Sequence, residues 1–287
     1  VDLCLGNPEL QKVFTERLIA TAQRDPLMSS ISVDPDDARG GTCECELCKA
    51  MDLPLITSLY GDGSNRVVAF NNKVAEAAAK EAPWVKVGWL AYSSHTLAPT
   101  NIERLAPNTI ITIAPINRLN DWRTGLMNES SSNANLVKTI RDWARLKPYT
   151  MQVYEYYAGY RWPGPTPFTR SVADRWRNYR KLGITGINNE TVISWGPQGL
   201  DMYMSARLAW NPDMDLEKEL NLYYKNYYGP AENPMRAYHE RLMDALETAK
   251  YPVRSGGQGM YLIFTPALVN ELRVYIRNAQ RLVKDKP

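Results

Sequence analysis

The chain has 287 residues, of which 44% are hydrophobic and 10% aromatic, so it is long and apolar enough to bury a substantial core. Its 34 basic and 31 acidic residues leave a net charge of only +3 and are interspersed, which argues against nucleic acid or an anionic membrane surface as a partner. No apolar run approaches the roughly 20 residues of a transmembrane helix, so we expect no membrane insertion.

The first two thirds of the chain alternate predicted helices with predicted strands. Asn7, Pro8 and Glu9 combine an N-cap, a proline at the first helical position and an acidic first turn, which predicts a helix start. Helices are predicted over residues 8–24, 64–81, around 136–143 and 169–182, and strands over 29–33, 84–92, 109–116, 149–157 and 183–190. Apolar strands that alternate with helices indicate a mainly parallel sheet in an α/β domain.

The pattern changes after Trp210, where only helices are predicted. They span residues 215–228, 233–249 and 266–284, the second opened by Asn233 and Pro234 and the third by Thr265 and Pro266. We therefore predict a portion of alternating strands and helices over 1–210 and a C-terminal helical region over 211–287. Five strand–helix units are too few for a closed eight-stranded barrel, so either the missing units lie upstream of Val1 or the sheet is open.

Acidic and aromatic side chains follow several of these strands, at the ends where parallel α/β folds bind ligands. They are Asp34, Asp36 and Asp37; Tyr92 and His95; Asn117 and Arg118; Tyr154, Glu155, Tyr156 and Tyr157; and Asn188, Asn189 and Glu190, with Trp195 beyond. A single Asp after a strand is more often a turn or cap residue, but acids recur at three strand ends. Glycosidic cleavage needs two carboxyl groups and sugars stack on aromatic rings, so the set favours a saccharide substrate.

Several other aromatic and basic residues could have either a functional or a purely structural role. Trp162 and Trp195 lie in Gly/Pro-rich segments that are predicted to be loops, and they are candidates for substrate contact. Tryptophans at helical spacing are instead assigned to the core. His95 and His239 are too few to suggest a metal site, and His239 is expected on a helix surface. Arg118 and Arg161 could clamp a carboxylate, although solvated loop charges are the more ordinary interpretation.

The most specific local pattern is Cys43-x-Cys45-x-x-Cys48, with Cys4 upstream. Four thiolates satisfy a tetrahedral structural zinc ion, while in an oxidising compartment the same cysteines form two disulfides, with Cys4 reaching into the cluster. The sequence leaves both open, with free thiols as a third state, and the expected role is structural in each case. No Walker loop, GxGxxG, GxSxG or HExxH motif occurs, so no catalytic cofactor is expected.

Several segments together carry a resemblance to a known family. They are LCLGNPEL, SISVDPDDARGGTCECELC, VGWLAYSS, QVYEYY, LGITGINNE, ARLAWNPDMDLEKELNLYYKNYYG and AYHERL. Together they resemble a widespread bacterial domain of unknown function found in large secreted glycoside hydrolases, including endo-β-N-acetylglucosaminidases and distantly similar to β-hexosaminidases and α-glucuronidases. The resemblance implies a TIM-like barrel, upstream domains in a longer chain, and a secreted, periplasmic or cell-surface location, although the chain's start lacks a signal peptide.

The resemblance also implies roles for the acids. Asp37 matches the family's Asp before the cysteine loop, with Asp36 or Asp34 beside it, where hexosaminidases have an Asp–Glu pair. We therefore expect a retaining hydrolase of acetamido-sugar glycans, in which Asp37 orients the acetamide or attacks directly and Glu155 or Glu190 protonates the leaving oxygen. The expected substrate-binding residues are Tyr92, Tyr154, Tyr156, Asn188, Asn189, Trp162 and Trp195. The alternatives are a noncatalytic glycan-binding module and a uronic-acid hydrolase.

Overall fold

The computed structural model describes residues 3–35, 43–115, 120–129, 131–156, 164–190, 195–253 and 259–284. In these ranges the strands are β1 Ser30–Ser32, β2 Lys86–Ala91, β3 Thr109–Ile113, β4 Thr150–Glu155 and β5 Ile184–Asn189. The helices are α1 Pro8–Arg24, α2 Glu46–Met51, α3 Ser64–Glu81, α4 Asn133–Arg145, α5 Thr169–Lys181, α6 Trp195–Trp210, α7 Leu216–Tyr228, α8 Glu232–Glu247, α9 Met260–Ile263 and α10 Pro266–Val283.

The helix ends follow from local sequence. The Asn7 side chain accepts a hydrogen bond at the start of α1, and Asp215 and Thr265 do the same for α7 and α10. Helix α7 ends at Gly229, which has a positive φ of 50° that a residue with a Cβ rarely adopts. These signals confirm the predicted positions of α1, α7 and α10.

The five strands form one parallel sheet in the order β1-β2-β3-β4-β5. Trp89, Ile111 and Met151 are in register across β2, β3 and β4, and all three are buried on one face. Because the strands are parallel, their carboxyl ends lie along the same edge of the sheet. The predicted α/β class and the five strands are thereby confirmed.

Helix α6 is a difference from the sequence-based prediction, which placed Trp195 in a Gly/Pro-rich loop. Trp195 is the first residue of α6, and Gly196 and Pro197 follow it inside the first turn. A proline is tolerated there because the first N–H groups of a helix have no partner within the helix. The loop assignment of Trp195 was therefore wrong.

Helix α8 also differs from its prediction. It begins at Glu232 rather than at Asn233, because a 3₁₀ turn over Gly229–Ala231 leads directly into it. His239 in this helix was predicted at the surface but is only 2% exposed, since its ring packs against Tyr224 and Tyr228 of α7. Burial lowers the pKa of His239 to about 4, so the imidazole is neutral at pH 7.

The chain divides into two compact units. Unit 1 comprises residues 1–115, 135–154 and 182–188, and unit 2 comprises 116–134, 155–181 and 189–287. The predicted division into 1–210 and 211–287 follows chain order, whereas these units are defined by contacts, so that division stays a prediction. Among the described residues, no helix is both long enough and apolar enough to cross a membrane.

Within unit 2, the start of α5 is held by a buried carboxylate from α6. Asp201 is 2% exposed and accepts hydrogen bonds from the Phe168 backbone N–H at 2.6 Å and the Thr169 hydroxyl at 2.5 Å. These donors lie at the N-terminal end of α5, in its first residue and the residue before it, where negative charge is favourable. Burial nevertheless raises the pKa of Asp201 to about 7, because the surroundings do not fully replace the lost hydration.

This raised pKa predicts a pH dependence of stability. The folded protein keeps a proton on Asp201 between the unfolded pKa of 3.8 and about 7, so the stabilisation is complete at low pH and is lost as pH rises through about 7. We expect the wild type to lose about 2–3 kcal/mol relative to Asp201→Asn between pH 5 and pH 8. Urea unfolding of both proteins at the two pH values measures this, with Asp213→Asn at an exposed position as the control. An equal pH dependence in wild type and Asp201→Asn would contradict the expectation.

Candidate functional site

Glu155 is the last residue of β4 and is completely buried. It lies on the same face of the strand as Met151 and Val153, because side chains alternate along a strand. The Tyr179 hydroxyl donates a hydrogen bond to Glu155 Oε1, and Arg175 Nη1 lies 3.7 Å from the same oxygen. Burial raises the pKa of Glu155, and Arg175 and Tyr179 oppose that rise. The carboxyl group is therefore anchored by helix α5.

Arg175 is the centre of a buried network in unit 2 and has no exposed surface. Its guanidinium donates to Asn120 Oδ1 at 3.0 Å, to the Asp121 carbonyl at 3.1 Å and to Asn133 Oδ1 at 3.0 Å. It also lies 4.0 Å from the centre of the Trp122 ring. Because these partners come from the segment after β3 and from the first residue of α4, Arg175 fixes that part of the chain and the Glu155 carboxylate to one helix.

Glu190 follows β5 directly and differs from Glu155 in its surroundings. Its backbone N–H donates to the Glu155 carbonyl at 3.0 Å, so a backbone hydrogen bond joins the two acidic residues directly. Glu190 is half-buried, and burial raises the pKa of its carboxyl group. Within the described ranges its buried Oε2 has no hydrogen-bond partner, and neither oxygen forms a salt bridge. The carboxyl group is thus partly removed from water and has no cationic partner among the described residues.

Asn189 is the last residue of β5 and directly precedes this acid. Its Nδ2 donates to the Glu190 carbonyl at 3.0 Å and contacts the Met202 sulfur at 3.5 Å. Its buried Oδ1 has no hydrogen-bond partner among the residues that the structure covers. Asn189 therefore fixes the backbone at Glu190 and leaves an acceptor oxygen available for a ligand donor.

In unit 1, the described strand-end acid is Asp34 after β1. Its Oδ1 accepts a hydrogen bond from the Leu90 backbone N–H at 2.5 Å, and its Oδ2 accepts one from the Ser32 hydroxyl. The carboxylate thus continues the pairing between β1 and β2 beyond the last strand residue. This is the behaviour of a strand-end structural residue.

The other predicted residues of unit 1 are also near strand ends. Tyr92 follows β2 and is half-buried, as is Tyr154 near the end of β4, while Asn188 of β5 is exposed. His95 is 4% exposed, and burial lowers its pKa to about 4, so it is neutral at pH 7. These residues provide polar and aromatic surface without a further charge.

Two predicted aromatic contacts fall in unit 2. Tyr156, one residue after β4, is half-buried, and Trp195 at the start of α6 is 55% exposed. The remaining predicted residues lie outside the described residues. They are Asp36, Asp37, Asn117, Arg118, Tyr157, Arg161 and Trp162.

Sequence reasoning missed the buried partners of Glu155. Arg175 and Tyr179 are spaced by four residues in α5, which puts both on one helix face, and Trp176 beside them is also buried. An arginine on an otherwise apolar helix face is a signal that a buried acid exists nearby. The sequence does not reveal which acid, because the pairing joins positions 20 residues or more apart.

The four cysteines come together in unit 1, as both the zinc and the disulfide predictions require. Their sulfur atoms all lie within 4.8 Å of one another. Cys4 comes from the turn before α1, Cys43 and Cys45 from the segment that leads into α2, and Cys48 from α2 itself.

A separate cavity of about 510 Å³ lies in unit 2 among α8, α9, α10 and residues 248–253. Its lining includes Arg241, Tyr251 and Glu271. None of the predicted site residues that the structure describes lines it. Arg241 and Glu271 pair across it at 2.9 Å, so its charges are already matched.

Comparison with known proteins gives one family. The family model described as "Domain of unknown function (DUF4838)" matches residues 1–240, which include all five strands and helices α1 to α7. No curated protein matches the chain.

Proposed function

We propose that this chain, which belongs to the DUF4838 domain family, is a glycoside hydrolase that acts on glycans containing acetamido sugars. One observation carries the proposal. Glu190, at the carboxyl end of β5, has a carboxyl group whose pKa is raised by burial and whose Oε2 has no hydrogen-bond partner among the described residues. These are the properties needed by an acid that keeps its proton until a leaving oxygen takes it.

Glu155 is better suited to positioning than to proton transfer. Its Oε2 resembles that of Glu190 in having no hydrogen-bond partner among the described residues, but Glu155 is completely buried. Its Oε1 receives the Tyr179 hydroxyl and faces Arg175, so a proton donated from it would leave a buried network rather than an open site. Its backbone carbonyl holds the Glu190 N–H. We assign Glu155 to fixing the backbone that carries the acid, and Glu190 to protonating the glycosidic oxygen.

The partner of the acid is assigned from the family resemblance. Asp37, with Asp36 beside it, is proposed to orient the substrate acetamide as an internal nucleophile or to attack the anomeric carbon itself. The substrate-binding residues are proposed to be Tyr92, Tyr154, Tyr156, Asn188, Asn189, Trp162 and Trp195. Aromatic rings and amides suit a sugar because rings stack on its apolar faces and amides hydrogen-bond its hydroxyls.

The strand order supports the finer fold proposal, which is a TIM-like barrel. In a (β/α) barrel each strand lies beside the next in the sequence, whereas a doubly wound sheet reverses its order at a switch point. The sheet here runs β1 to β5 without reversal. We propose that these are consecutive strands of such a barrel.

A specific observation favours a second function, a glycan-binding module without turnover. Glycosidic cleavage requires two carboxyl groups. Of the strand-end acids that the structure describes, Glu155 is held by Arg175 and Asp34 by the Leu90 N–H. Glu190 is then the one acid of this group that is available to act on a substrate. A domain with one available acid would bind sugars without cleaving them.

An assay of the purified chain on aryl β-glycosides of N-acetylglucosamine, glucose and glucuronic acid separates these functions. We expect hydrolysis of the N-acetylglucosaminide, with kcat/KM falling as pH rises through the raised pKa of the acid, because the proton donor is then lost. Calorimetric titration with N-acetylglucosamine oligomers runs in parallel. Saturable binding with no hydrolysis of any substrate would favour the binding module, and cleavage of the glucuronide alone would favour a uronic-acid hydrolase.

A further inference from the structure

The four cysteine sulfurs of unit 1 are spaced as the ligands of one metal ion. Cys4 Sγ lies 3.6 Å from Cys45 Sγ and 3.7 Å from Cys48 Sγ, and with Cys43 all four sulfurs fit within 4.8 Å. A tetrahedral zinc ion with Zn–S bonds of about 2.3 Å separates its sulfurs by about 3.8 Å. The distances from Cys4 Sγ to Cys45 Sγ and to Cys48 Sγ both match this sulfur–sulfur separation.

The same distances distinguish a metal site from disulfides. A disulfide joins one sulfur to one partner at about 2.0 Å and moves it away from the others. Cys4 is instead nearly equidistant from Cys45 and Cys48. A sulfur that lies at equal distance from two others fits the ligands of one metal ion better than it fits a disulfide with either of them.

The backbone around the sulfurs supports the same inference. The Gly6 N–H donates to Cys48 Sγ at 3.2 Å, which stabilises a thiolate. Gly6 packs so closely on this loop that an added Cβ would lie 2.9 Å from the Cys48 backbone nitrogen. The turn is closed by the Asn7 N–H, which donates to the Cys4 carbonyl at 2.9 Å. Two separate stretches of chain are thus shaped to present sulfur to a common point.

The loop that carries Cys43 is fixed from the other side. Arg66 of α3 donates to the Cys43 carbonyl at 2.7 Å and pairs with Asp52 at 2.5 Å, with both side chains mostly buried. The position of Cys43 is therefore set by contacts that are independent of any sulfur. This prepares the site before a ligand arrives, which reduces the ordering cost of binding.

We propose that Cys4, Cys43, Cys45 and Cys48 bind one structural zinc ion as thiolates. All four positions of the tetrahedron are filled by protein, so the ion has no open site for chemistry. It joins the turn before α1 to residues 43–48, a segment that includes the first turn of α2. Because that segment follows β1, the ion limits the freedom of the chain on both sides of the strand.

Three measurements on the whole chain test the proposal. Elemental analysis of protein produced in zinc-supplemented medium is expected to give one zinc per chain, and thiol titration after denaturation in a chelator four thiols. Replacement of zinc by Co²⁺ is expected to give the absorption of tetrahedral cobalt with thiolate charge transfer. Absence of metal together with a mass lower by four hydrogens, the signature of two disulfides, would overturn the proposal, as would iron bound in place of zinc.

Two variants sharpen the test. Cys45→Ser removes a ligand and is expected to abolish the thiolate cobalt spectrum, whereas Ala50→Ser, at an exposed position of the helix α2 that follows Cys45, is expected to preserve it. Gly6→Ala keeps all four sulfurs but displaces the N–H donor, and we expect zinc affinity measured by chelator competition to fall about 10- to 100-fold. Unchanged affinity in Gly6→Ala with an unchanged spectrum in Cys45→Ser would exclude this site.

Discussion

Replacement of Glu190 by glutamine is expected to lower kcat/KM for glycoside hydrolysis by about 10²- to 10⁴-fold, the usual contribution of a general acid. Glutamine preserves the size of the side chain and the backbone bond to Glu155, so only the transferable proton is removed. The measurement is steady-state hydrolysis of the aryl N-acetylglucosaminide by wild type and variant. Circular dichroism and thermal unfolding check that the variant is folded.

The leaving group distinguishes a lost acid from a distorted site. A phenol of low pKa departs without protonation, so the deficit of Glu190→Gln should shrink on such substrates and grow on a disaccharide. Glu217→Gln, at an exposed position in the first turn of α7, is the matched control and should retain full activity. If Glu155→Gln abolishes hydrolysis while Glu190→Gln stays within a few-fold of wild type, the two roles are reversed.

Arg175→Met is expected to lower the free energy of unfolding by about 3–5 kcal/mol. The substitution keeps much of the apolar stem but removes the buried cation from Glu155 and the donors from Asn120 and Asn133. The rise in the pKa of Glu155 allows that carboxyl to take up a proton, which limits the loss at low pH. Urea unfolding followed by tryptophan fluorescence measures the effect.

A double variant tests the cause of this loss. If an uncompensated buried charge dominates, Arg175→Met combined with Glu155→Gln should be more stable than Arg175→Met alone. Arg180→Met, in the same helix but 58% exposed and paired with Asp213, is expected to cost less than about 1 kcal/mol. A loss of similar size in Arg175→Met and Arg180→Met would mean that the buried network is not a major source of stability.

Local sequence signals explain why most of the fold was predictable. The caps at Asn7 and Thr265 and the apolar runs of β2 to β4 act within a few residues, so their outcome does not depend on distant contacts. Helix α6 was missed because Gly196, Pro197 and Gly199 lower its intrinsic propensity, and burial of Leu200 and Leu208 outweighs that penalty. The short helix α2 was missed because a cysteine-rich segment gives no helical period.

The candidate site was predictable only in part. The position of Glu155 and Glu190 at strand ends follows from the strand pattern. Their unequal surroundings were not predictable, because Arg175 and Tyr179 reach Glu155 from another element. Whether an acid is neutralised or left without a partner depends on tertiary contacts that no local spacing encodes.

The interleaving of the two units constrains how the protein is made. The chain passes from one unit to the other at residues 115, 134, 154, 181 and 188. Unit 1 therefore lacks its last strand, β5, until residue 189 has left the ribosome, by which time two segments of unit 2 have already emerged. At that point unit 2 still lacks nearly all of residues 189–287, so unit 1 can complete its folding first, while the two emerged segments of unit 2 stay without most of their partners and remain prone to aggregation. By the same logic, a protease cut within residues 116–134 would interrupt both units rather than release one of them intact.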